Sequence, residues 1–130
     1  MDLAFTTRLP LAVLIALGIK DWENRSCCPL PNKGRCGMSV SKGSNESEYN
    51  RFLEFIRKHS SDRLADAIPT WEQVKSWRGK MIAEMDYEAG ETPGPVIWNE
   101  GYRYWWRLSN VQMLDDPYPV RGNVGMWRVR

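Results

Sequence analysis

Three charged side chains lie close together in Gly18-Ile19-Lys20-Asp21-Trp22-Glu23-Asn24-Arg25 and offer chemistry. On an extended strand Glu23 and Arg25 are two residues apart and project from one face. Lys20 precedes them, at the junction with an apolar segment, and can reach the same place. Two cations around one carboxylate can clamp a phosphate or a ribose, or hold a polar base edge. The same group can do acid–base work: burial lowers the pKa of a lysine and makes it a base, and Glu23 can activate a water. A structural ion-pair network at the mouth of a barrel uses the same residues and stands as the alternative.

The flanking elements must position these side chains. Leu11 to Leu17 is almost wholly apolar and reads as a helix, with Pro10 in its first turn and Gly18 as its stop. A helix this short and apolar has to be sandwiched in a core. Leu3 to Arg8 reads as a strand, because Phe5, Thr6 and Thr7 favour extended backbone. Lys20 to Arg25 is the next strand, Cys27 to Gly34 a loop rich in turn residues, and Arg35 to Ser41 a further strand. Asn45 and Glu48 are spaced as a capping box. They open a helix whose apolar face is Tyr49, Phe52, Leu53 and Ile56, and Leu14 and Leu17 are expected to be buried with it. His59 falls at the helix end, as a surface residue. Thr70 and Gln73 form a second capping pattern, for one or two turns ending near Trp77.

Lys80 to Tyr87 alternates as a strand, and Ile82 breaks the pattern in a way that implies burial on both faces. Gly90 to Gly94 reads as a loop, with strands from Tyr102 to Leu114 and from Val124 to Val129. Along Tyr102-Arg103-Tyr104-Trp105-Trp106-Arg107, alternation sends Arg103, Trp105 and Arg107 to one face. That set is either an ordinary barrel surface or a platform for stacking and charge. The element order predicts one α+β domain over residues 1–130: a small barrel of short strands, closed or nearly so, with helices packed at its ends.

Composition narrows the function classes. The chain is 42% apolar and 26% charged, which excludes a disordered tail. A net charge of +2 excludes a histone-like polycation, so any nucleic-acid site depends on local clustering. Seven tryptophans supply a core and, beyond it, rings able to stack on bases or sugars. The cysteines are three, Cys27, Cys28 and Cys36, and the one histidine is far from them. This spacing suits reduced thiols, with no zinc site and no cofactor. The run from Leu11 to Gly18 after Arg8 has the look of a secretion signal. Asp2 and the lack of a small-residue cleavage pattern favour a buried helix instead, and the run is too short for a bilayer. A cytoplasmic protein without a membrane partner is the expectation.

The motif Gly18-x-Lys20-x-x-Glu23-x-Arg25 resembles the G-x-K-x-x-E-x-R signature of ASCH domains. Four further segments are similar to that family in the same order: Thr7-Arg8-Leu9-Pro10-Leu11-Ala12, Met38-Ser39-Val40-Ser41-Lys42, Gly79-Lys80-Met81-Ile82, and residues 119–129 around Arg121-Gly122-Asn123. The resemblance implies a PUA-like barrel of five to six mixed strands with a ligand cleft beside the Glu23 strand, lined by Arg8, Lys20, Glu23, Arg25, Ser41 and Lys42. It implies binding of RNA or a nucleotide-like ligand. The alternative is a small hydrolase of RNA or a modified nucleoside, with Lys20 and Glu23 as catalytic pair; an accessory role toward a protein partner is a third reading. Leu9 and Leu11 stand where the family often has Gln and Trp, and Ser39 where it often has His. Members that hydrolyse N4-acetylcytidine place a threonine where this chain has Glu23. A carboxylate does not attack an amide by that covalent route, so a hydrolase here would act through water.

Overall fold

The computed structural model describes residues 2–91 and 103–129. Strand β1 (Leu3–Thr7) leads into helix α1 (Leu9–Ala16), followed by β2 (Trp22–Arg25) and β3 (Lys33–Val40). Three helices, α2 (Glu46–His59), α3 (Asp62–Ala67) and α4 (Trp71–Val74), and a 3₁₀ turn at Lys75–Trp77 come next. Strands β4 (Lys80–Glu91), β5 (Tyr104–Pro119) and β6 (Trp127–Arg128) complete the chain. The fold is α+β, and the six strands among the described residues form one mixed sheet in the order β2-β5-β4-β3-β1-β6. Among the described strand pairs β1 and β3 run parallel and the others antiparallel.

The sheet curls into a half-closed barrel, where a closed or nearly closed one was expected. The reason lies in its outermost strands. β6 is two residues long and pairs with Leu3 and Ala4, so among the described residues no strand pairs along that edge of β1 beyond Ala4. Side chains span the gap to β2 instead. Arg25 on β2 donates to the Thr6 carbonyl of β1 at 2.6 Å. Phe5 meets Trp106 of β5 edge to face, with centroids 5.9 Å apart.

Local chemistry explains the element ends. Gly18 has φ +74°, and its N–H bonds the Ile15 carbonyl while Ile19 N–H bonds Leu14. This paired closure is the Schellman arrangement, which needs a residue tolerant of positive φ. It ends α1 at Ala16 and leaves Leu17 in the turn, 47% exposed, so Leu17 does not join the core as expected. Leu14, by contrast, is fully buried with Tyr49 and Ile56, and Phe52 and Leu53 pack partly buried against the same core. Asn45 caps α2 by accepting from Glu48 N–H at 2.9 Å. Glu48 does not complete the box, because its carboxylate is taken by Arg8 at 2.7 and 2.9 Å. The Thr70–Gln73 box closes in full. α3 was not foreseen; it is short, and its signal is a Ser61 side chain accepting from Leu64 N–H.

Ile82 is buried, as are Met81 and Ala83 beside it. The β4–β5 register shifts between Met81 and Ala83, and this irregularity lets consecutive residues face apolar surroundings. β4 extends through Gly90 and Glu91, which the loop reading had placed in a turn; the rest of that loop, and Tyr102, lie outside the described residues. Among the described residues no helix is long and apolar enough to cross a membrane. The three cysteines are free thiols, with Cys27 and Cys28 exposed and Cys36 buried.

Two outcomes follow. Leu14→Ala should lower stability by about 2–5 kcal/mol in urea titrations, as for a buried leucine, whereas Leu17→Ala should leave the urea midpoint nearly unchanged. Burial pushes the Cys36 thiol from 9.0 up to about 12. Its folded pKa lies above its unfolded one, so its contribution is whole below about pH 9 and is lost as pH climbs toward 12. Alkylation of the native protein without reductant should therefore modify Cys27 and Cys28 quickly and Cys36 only on unfolding. Equal rates at all three would show the Cys36 wall to be open.

Candidate functional site

The turn after α1 aims Lys20 into the interior. Lys20 N–H shares the Leu14 carbonyl with Ile19, which fixes the chain direction before β2 begins. Lys20 Nζ then lies 3.4 Å from Glu23 Oε1 and 4.8 Å from the centre of the Trp22 ring. Glu23 Oε1 also accepts from Asn24 N–H at 3.2 Å, and Oε2 faces Arg25 at 3.4 Å. The Lys20 and Glu23 side chains are 0% and 2% exposed, and that of Arg25 is 19% exposed. Arg25 also sits over the Phe5 and Trp106 rings, at 5.6 and 5.4 Å. Lys20, Glu23 and Arg25 thus come together as the motif spacing implies. They do so inside the half-barrel, as one carboxylate holding two cations.

The other expected site residues divide between two places. Arg8 is engaged by Glu48 and by the Gly43 carbonyl at 2.9 Å. The Glu48 hydrogen bond raises its already high pKa further. This ties the start of α1 to the turn before α2. Ser41 and Lys42 instead line a cleft of about 450 Å³ together with Thr6, Gly79, Arg121 and Asn123. None of Lys20, Glu23 and Arg25 lines that cleft. Lys20 belongs to the wall of a separate depression of about 360 Å³ beside Leu17 and Asn110, with its side chain shut inside.

Close backbone approach builds the cleft. Gly79 has φ +73°, and a Cβ there would lie 2.8 Å from both Cγ and Cε of Lys42. A Cβ on Gly122 would lie 2.7 Å from Thr6 Oγ1. Thr6 joins the cleft to the buried group. Its carbonyl takes Arg25, while its hydroxyl accepts from Trp127 Nε1 at 3.0 Å and Asn123 N–H at 3.3 Å. Asn123 Oδ1 accepts from Val124 N–H at 2.9 Å, which leaves the side-chain amide donors for other partners. Thr6, Arg121 and Asn123 were not foreseen as site residues. The signal for the last two was present in Arg121-Gly122-Asn123, a turn with a cation and an amide.

The Arg103, Trp105 and Arg107 face lies outward, with both arginines exposed. Trp105 meets Trp22 edge to face at 6.3 Å and lies under Arg107 at 5.3 Å. Arg103 pairs with Glu91 at 3.2 Å. Among the described residues no three His, Cys, Asp or Glu side chains gather in a way that can hold a metal ion. Compared with known proteins, the sequence matches no family model and no curated relative.

The buried group has a stability consequence. Glu23→Gln keeps the side-chain shape but leaves two cations without their anion. It should cost about 3–5 kcal/mol, as breaking a buried ion pair does. An unchanged urea midpoint would show that the group does not support the fold.

Proposed function

We propose that this chain is a PUA-like domain of the ASCH kind that binds RNA or a nucleotide-like ligand in the Lys42–Arg121 cleft. The observation that carries this reading is the composition of the cleft wall. Among the described residues it holds two cations, the Ser41 hydroxyl and the Asn123 amide, and no Asp or Glu. Lys42 and Arg121 have no carboxylate within salt-bridge distance among the described residues, in contrast to Arg8, Arg35 and Arg57. Two free cations beside a hydroxyl and an amide suit a phosphate and a base edge.

Four of the five segments that resemble ASCH domains supply residues to this cleft or to its Thr6 anchor: Lys42, Gly79, Arg121 and, through Thr6, Arg25. In this reading the buried Lys20–Glu23–Arg25 group is the framework that holds β1 in place. The near-complete burial of Lys20 and Glu23 favours this role over hydrolysis, since a general base must reach a water and a substrate.

Single-stranded RNA should bind with an affinity that falls as salt rises, with a log–log slope of about −0.7 per phosphate engaged. Lys42→Ala and Arg121→Ala should each weaken binding several-fold and make that slope shallower by roughly one contact. Fluorescence anisotropy across a salt series measures both. If both folded variants bind as the parent does, the ligand site is elsewhere.

A further inference from the structure

A second cleft, of about 620 Å³, adjoins the first and shares residues 120–123 with it. Arg121 therefore stands at the divide between two chambers, each within the usual size range for a small-ligand site. The second chamber adds Tyr118, Trp127 and Arg128 and, like the first, has no Asp or Glu in its wall among the described residues. Among the described residues neither Arg121 nor Arg128 has a carboxylate partner.

The two rings differ in how they are held. Trp127 is fixed by its Nε1 bond to Thr6 Oγ1 at 3.0 Å and by pairing with Ala4. Tyr118 is 37% exposed on the last part of β5. Lys42, Arg121 and Arg128 thus provide cations across two joined chambers, and Tyr118 and Trp127 provide rings in the second. Cations that follow a backbone, with aromatic side chains for its bases, are what unpaired strands require; a duplex keeps its base faces stacked inside.

We infer that the ligand is a single RNA strand of at least two nucleotides, running from the Lys42 cleft past Arg121 into the Tyr118–Trp127–Arg128 cleft. This rests on the nucleotide-binding reading above and specifies its substrate class. A mononucleotide fills the first chamber alone, and the strand engages both.

The test compares a labelled single-stranded RNA of about eight nucleotides, within the usual range for one small barrel, with a mononucleotide and with a duplex of equal length. Arg128→Ala and Tyr118→Ala change exposed residues and should preserve the fold, which circular dichroism checks. Each should weaken the strand about fivefold or more and leave mononucleotide affinity unchanged. If both variants bind the strand as the parent does while Lys42→Ala weakens it, the two-chamber path is wrong and the nucleotide-binding reading stands. Duplex binding as tight as strand binding also overturns the path. If neither strand nor mononucleotide binds the parent, both readings fall.

Discussion

The carboxylate of Glu23 is the point on which the half-barrel closes. Two cations share it, and one of them, Arg25, reaches across the unpaired side of the sheet to a β1 carbonyl. Beside this link, the gap between β2 and β1 is spanned by apolar contacts such as Phe5 against Trp106. Such contacts lack direction, whereas a guanidinium held against the Phe5 and Trp106 rings has a defined acceptor geometry to satisfy. Burying the charges is costly, and the arrangement is tolerable because the carboxylate collects donors from Lys20, Arg25 and the Asn24 backbone.

Thr6 carries this closure to the surface. Its two oxygens face different tasks: the carbonyl belongs to the interior, and the hydroxyl belongs to the segment that forms the cleft wall. The shape of the cleft therefore depends on the seam of the sheet, although no charged residue of the buried group touches it. A change in the motif can alter the shape of the cleft through β1 without touching its wall.

Much of this was legible in the sequence. Gly18, the Asn45 cap and the odd burial of Ile82 each follow from local rules, because the deciding neighbours are a few residues away. The convergence of Lys20, Glu23 and Arg25 was legible for the same reason. Leu17 was misread because the whole run is apolar and was taken as buried throughout, whereas the turn at Gly18 takes the preceding carbonyls and leaves Leu17 half exposed. Arg8 was read as a cleft residue, but Glu48 comes from a helix far along the chain, and a two-point carboxylate pair outcompetes a backbone cap. Arg121 and Asn123 were not singled out because their segment has no periodicity. Their place depends on the long-range approach of Gly122 to Thr6.

The packing of Lys42 against Gly79 has a consequence for association entropy. A free lysine gives up several rotors when it grips an anion, at a cost of about 2 kcal/mol if all are frozen. Here the methylene stem lies along a bare glycine, and this contact restricts the stem before any anion is met. The ammonium is thereby presented on a short tether instead of a long one. Any side chain at position 79 would both strain a backbone at φ +73° and lift the stem from its bed. The missing Cβ thus acts at a distance of several bonds: it sets how much disorder the cation still has to lose when an anion arrives.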